Sequence, residues 1–199
     1  MLPTVYLAAE DVPGLAVGRK LVAEQPVLTI HYAHNGHGYG KLKAKAQNYN
    51  QMGENGFPVL LLTDLDDDPC PSSKIVAWLG RAPSRGFLFR ICVREVEAWL
   101  LADRVAMAGF LKVKIATLPV EPESLADPKA TLIALAQRAP RKIRVGLTPM
   151  GSASIGPDYN ELLSEFISKS WSIKRAVDRA PSLVRARHRI AELARTINA

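Results

Sequence analysis

Residues 56–64, GFPVLLLTD, constrain this chain more than any other segment. A continuous apolar run of strand length, bounded by turn residues, has no polar face to offer water. That predicts a strand buried on both sides, as in the interior of a parallel sheet. The neighbouring sequence repeats a strand-then-helix unit around it. Residues 3–9 are apolar and partly β-branched, and a Pro-Gly start signal then opens a helical stretch to about Glu24. Residues 27–33 form a second strand candidate, followed by the glycine-rich turn HNGHGYG and a basic helical stretch over 41–52. After the run, residues 66–71 turn the chain, and Ser72 or Ser73 is placed to cap a helix ending at Leu79. GFLFRICV supplies a fourth strand, and residues 94–111 place Val96, Trp99, Leu100 and Phe110 at roughly helical spacing. This alternation predicts an α/β fold with an open, mainly parallel sheet flanked by helices.

Beyond Leu111 the strand signals stop. LPVEPESLADP is a Pro-punctuated loop ending in an Asp127 cap, with Pro128 at the first position of a helix running to about Ala139. A second loop, TPMGSASIGP, leads to Asp158 and Glu161 at capping-box spacing, and Leu162, Leu163, Phe166 and Ile167 mark the core side of another helix. The last helix is expected from Ser182. At 100° per residue it puts Leu183, Ala186, Ile190, Leu193 and Ile197 on one stripe and Arg185, His188, Arg189 and Arg195 on the other. The expected organisation is an α/β core over 1–112 and a helical extension over 113–199 packed on that core, closed by the basic helix.

Composition narrows the function classes. No apolar run approaches the ~20 residues of a membrane span, and the N-terminus reaches carboxylates before a signal-peptide core could finish. Cys70 and Cys92 form no C-x-x-C pair. A cytoplasmic protein with free thiols is therefore expected. The net charge of +7 is unevenly placed: residues 1–100 carry ten Lys and Arg against ten Asp and Glu, and residues 101–199 carry sixteen against nine. A basic second half suits a polyanion.

Within the neutral half the acids are crowded at Glu10-Asp11 and over 64–68. Open α/β sheets gather ligands beyond the carboxyl ends of their strands, where this sequence puts Glu10 after strand one, Asp64 and Asp66 after strand three, and Glu95 or Glu97 after strand four. If the extended backbone continues, Asp64 and Asp66 point to the same side, with Asp67 or Asp68 adding a further oxygen. Like charges ~4 Å apart cost about 1 kcal/mol per pair even in water. A bound cation would relieve the cluster, and oxygen donors suit Mg²⁺ or Mn²⁺ better than Zn²⁺.

The arrangement of Glu10 after the first strand and DLD, Asp64 and Asp66, after the third resembles the TOPRIM fold. The strings AAEDVPG, LLLTDLDDDPCP, CVREVEAWLLADR, LADPKATLI, SIGPDYNELLSEFI and APSLVRA resemble a TOPRIM-like bacterial family known as domain of unknown function 4276. That resemblance touches nearly the whole chain. It implies a TOPRIM-like core with an added helical part, divalent metal and phosphodiester chemistry. Many TOPRIM proteins follow Glu-Gly with another acid; this chain has Glu10-Asp11, and only Gly14 where a second acid would fall.

The expected function is a Mg²⁺- or Mn²⁺-dependent nuclease acting on DNA or RNA. Glu10, Asp64 and Asp66 are its catalytic candidates, and Glu10, Asp64, Asp66, Asp68 and Glu97 its metal ligands. Lys41, Lys43, Arg185, Arg189 and Arg195 would contact the phosphate backbone. The competing expectations are a non-catalytic subunit that binds nucleic acid or a partner ATPase, and a small-molecule phosphoryl or nucleotidyl enzyme. Simpler roles compete residue by residue. Glu10 could cap the first helix, the aspartates could cap the third, and Glu95 and Glu97 could answer a helix dipole. His31, His34 and His37 lack a zinc-site signature, and the glycine loop is expected to turn backbone amides toward an anion. Lys41, Lys43 and Lys45 could be a solvated helix face.

Overall fold

The computed structural model describes residues 3–198. The chain divides into two compact units, Met1–Val93 with Val184–Ala199, and Arg94–Leu183. The expected boundary at 112 falls inside the second unit, and most of the basic helix belongs with the first.

The first unit is built on an open parallel sheet of β1 (Thr4–Ala9), β2 (Thr29–Asn35), β3 (Val59–Asp64) and β4 (Phe87–Cys92), in the order β2-β1-β3-β4. All three pairings are parallel. Helices α1 (Val12–Ala23), α2 (Tyr39–Glu54) and α3 (Pro71–Leu79) make the crossovers. Every residue of β3 is buried, as its unbroken apolar run predicts. Alternation along the strands separates two faces. Ala8, Val59, Leu61, Phe87, Phe89 and Ile91 join Leu42, Ala46 and Tyr49 of α2 and Trp78 of α3 in one core cluster. Leu7 and Leu62 face the other way, toward α1. A Cβ on Gly18 would come within 2.6 Å of Leu7 and 3.1 Å of Leu62, so α1 lies closer than any side chain there would allow.

In the second unit the expected helix over 94–111 is two helices, α4 (Val96–Ala102) and α5 (Arg104–Leu111). Asp103 stands between them with φ −82° and ψ 73°, and its carboxylate caps α5 through Ala106 N. α6 (Pro128–Ala136) starts at the predicted Asp127 cap, where Ala130 N donates to Asp127 Oδ1 at 2.6 Å. α7 (Arg141–Leu147), which the sequence pattern does not predict, follows. α8 (Tyr159–Lys169) begins at Asp158 without the expected side-chain cap. A short α9 (Ile173–Ala176) precedes α10 (Pro181–Asn198). Along α10, Leu183, Ala186, Ile190 and Leu193 are buried and Arg185, His188, Arg189 and Arg195 exposed, as the projection requires. In the first unit, Arg187 Nε donates to Glu24 Oε2 at 2.7 Å, tying α10 to the end of α1.

Candidate active site at the sheet's switch point

From β1 the chain crosses to β2 on one side, and later strands continue on the other. The order of the sheet therefore reverses between β1 and β3, where open α/β sheets place their ligand crevice. The register aligns Ala9 with Leu62, which leaves Glu10 beside Thr63. Thr63 Oγ1 donates to Glu10 Oε2 at 2.7 Å. The Asp64 amide also donates to the Glu10 carboxylate. Burial pushes the Glu10 carboxyl above the usual carboxylate range, and the nearby charges of Asp66 and Asp11 push the same way against the two hydrogen bonds. Among the described residues no cation lies within ion-pair distance of Glu10.

The capping role weighed for Glu10 belongs to its neighbour: Gly14 N donates to Asp11 Oδ1 at 2.7 Å. The aspartates do not cap α3 either, nor does Ser72 or Ser73. Cys70 is the cap, with its Sγ accepting from Ser73 N and lying 3.0 Å from both serine hydroxyls. Those hydroxyl bonds lower the Cys70 thiol to about 7.

Asp64 and Asp66 do not project from one extended strand. β3 ends at Asp64, which is 7% exposed, and Leu65 turns into the core. Asp66 then takes a left-handed φ of 52°, a conformation that short polar side chains tolerate better than most. Sequence reasoning missed the residue that organises this turn. Lys74 of α3 is fully buried, and its Nζ donates to Leu65 O at 3.1 Å and pairs with Asp66 Oδ2 and Asp68 Oδ2, each at 3.0 Å. The ammonium also lies 4.9 Å from the Tyr39 ring centroid. Burial works against its charge, but the bonds to Asp66 and Asp68 outweigh it and raise its pKa. No local pattern marks Lys74; the one available signal was a lysine in a helix that otherwise turns an apolar side inward.

Glu95 and Glu97 belong to the second unit. Glu95 accepts from Lys129 N at 2.7 Å and so holds the start of α6. Glu97, fully buried, accepts from Tyr159 Oη at 2.7 Å with Lys129 Nζ 3.8 Å away. The glycine loop does not aim its amides outward: Gly36 N and Gly38 N donate to the carbonyls of Ala9 and Glu10. It fastens the entry to α2 against the end of β1. His31 and His37 are exposed, and His34 lies 3.4 Å from Lys45 Nζ. Lys41 is exposed on α2, and Lys43 sits 5.6 Å from the Tyr39 ring.

Among the described residues, no three His, Cys, Asp or Glu side chains converge closely enough to form a metal cage. The carboxylates at the switch point fit a different mode. Mg²⁺ commonly takes one or two carboxylates, keeps several waters and completes its shell with substrate phosphates. A partly buried Glu10, held by a hydroxyl and an amide and surrounded by like charge, is a donor of that kind. Among the described residues, no helix is long and apolar enough to cross a membrane. Comparison with protein-family models, with curated proteins and with solved structures gave no match.

Proposed function

We propose that the chain is a Mg²⁺- or Mn²⁺-dependent phosphotransfer protein, a TOPRIM-like nuclease acting on DNA or RNA, with Glu10, Asp64 and Asp66 as its working acids. One observation carries the reading: Glu10 sits at the switch point with a raised pKa, relieved of capping by Asp11 and oriented by Thr63. A bound divalent ion would polarise a phosphoryl oxygen and acidify a water. Thr63 and the Asp64 amide orient the Glu10 carboxylate, and its raised pKa suits a base that takes a proton from an attacking water. Lys74 fixes Asp66 and Asp68, limiting how the turn rearranges. Glu97, engaged by Tyr159 and Lys129, has no part in this reading.

The test is cleavage of plasmid and RNA with Mg²⁺ or Mn²⁺. Glu10→Gln and Asp64→Asn should each lower the rate by roughly 10²-fold or more, the scale of positioned proton transfer. The metal should also raise the melting temperature of the wild type. No cleavage and no metal-dependent stabilisation would sink the proposal. A second reading, a non-catalytic subunit that binds nucleic acid or a partner ATPase, is favoured by Lys74. Its ammonium already supplies a cation to Asp66 and Asp68.

A further inference from the structure

β4 forms one edge of the sheet and carries a charge in an otherwise apolar strand. Arg90 pairs with Leu62 in register and is flanked on its own face by Leu88. Arg90 Nε donates to the adjacent carbonyl of Phe89 at 2.7 Å. Burial, then the charges of Arg189 and Arg185, press its pKa below the usual arginine value, and only Glu192 acts in the opposite sense. Beside the strand, Arg85, Leu88, Arg189, Glu192, Leu193 and Arg195 line a groove of about 410 Å³ within the first unit. Glu192 is already engaged by Arg189 and lies 3.5 Å from His188 Nδ1. Among the described residues, Arg85, Arg90, Arg185 and Arg195 have no carboxylate within ion-pair distance.

Three arginines thus line the groove with one committed carboxylate, and Arg90 lies close enough to feel the charges of Arg189 and Arg185. Like charges held together raise the energy of the empty groove and lower it on binding an anion. Guanidinium forks match phosphate oxygens in pairs, while Leu88 and Leu193 form the buried floor of the groove. The volume lies in the range of concave ligand sites and not of a flat face for a duplex. The groove is also separate from the acids. Leu88 lies four residues before Cys92, the register partner of Asp64, which is about 13 Å along the strand.

We infer that the groove between β4 and α10 binds phosphate groups of a single-stranded nucleic acid, with Arg85, Arg189 and Arg195 as contacts and Arg90 adding charge from the strand. The inference rests on the reading that the chain binds a phosphate-bearing polymer, but not on cleavage.

The test is fluorescence anisotropy of labelled single-stranded DNA and RNA oligonucleotides with the full chain in EDTA. Arg85→Ala with Arg189→Ala should weaken binding about tenfold or more, the scale of a missing charge-assisted hydrogen bond. The salt dependence should flatten by about 0.7 for each phosphate no longer neutralised. Glu192→Gln should tighten binding, a gain that damage to the fold would not produce. Because Arg90 is half-buried, the exposed arginines are changed first and melting temperatures compared. Unchanged affinity and slope in the double variant overturn the proposal. So does competition by inorganic phosphate or a nucleoside monophosphate at the concentration at which the oligonucleotide competes, which would assign the groove to a small phosphate ligand. Absence of cleavage by the wild type with intact groove binding counts only against the metal reading, and cleavage with arginine-independent binding only against the groove.

Discussion

Asp103 of the second unit and Glu10 of the first are carboxylates taken out of water in opposite ways. Asp103 is fully buried, and its oxygens accept from Ala106 N, Ser172 N and both Nε and Nη2 of Arg175, the last three at 2.8 Å. It joins the start of α5 to Ser172, just before α9, and to Arg175 within α9. Glu10 has a hydroxyl, an amide and two acidic neighbours. A carboxylate whose lone pairs are answered by backbone and guanidinium holds structure together. One left with its charge poorly matched is a candidate for chemistry, because perturbed carboxyls gather at functional sites. The Asp66–Asp68–Lys74 turn is intermediate in kind, two carboxylates sharing one ammonium at the crevice.

The largest effect that would break this contrast concerns Asp103. Asp103→Ala should cost about 3 kcal/mol in denaturant unfolding, since two amides lose their acceptor along with Arg175. A loss below about 1 kcal/mol, the scale of an exposed pair, would remove the distinction. Lys74→Met should cost about 2 kcal/mol without metal, a discounted figure because Asp66 and Asp68 are partly exposed. Adding Asp66→Asn and Asp68→Asn should recover part of that loss. If Mg²⁺ stabilises the Lys74→Met protein no more than the wild type, the acids of this turn are not competing for a cation.

Glu10→Gln should move stability the other way. The folded pKa of Glu10 lies above its unfolded value, so its protonated form favours the fold at low pH and that contribution is lost as pH rises through the folded pKa. The amide escapes the loss. Its melting temperature in EDTA should exceed the wild type's near pH 7, with the gap closing as pH falls below the ordinary glutamate range. A lower melting temperature at pH 7 would make Glu10 a structural acid like Asp103. The smallest effect is a report from the same turn. Alkylation of Cys70 should rise with a midpoint near pH 7, and Ser72→Ala with Ser73→Ala should move it toward the usual thiol range. Buried Cys92 should react only on unfolding.

Much of the first unit could be read from the chain because its signals are local. A run such as VLLLTD has one stable home, and the ends of the strands then place Glu10 and Asp64 near the same crevice. Local signals mislead where a side chain's partner is distant. Asp103 looks like one more position in a long helix until Ser172 and Arg175 arrive from about 70 residues later. Residues 141–147 carry Gly146 within a helix, at the point where a Cβ would meet Leu162 at 2.5 Å; close packing sets that element, not periodicity. Lys74 reaches back across a turn, and Arg90 gains its arginine neighbours only when α10 returns beside β4.

That return also sets an order of events during synthesis. The second unit is one uninterrupted stretch, Arg94–Leu183, whereas the first needs Val184–Ala199 as well as Met1–Val93. On a ribosome adding roughly 5–20 residues per second, domains fold as units once their residues have emerged. The inserted unit can therefore fold while its host still lacks the helix that lines the β4 edge groove. During those seconds β4 presents an edge without that helix, the kind of surface on which chains pair wrongly. An arginine in this strand then acquires a use before any ligand is met, since a charge on the face of a bare edge strand opposes association with another copy.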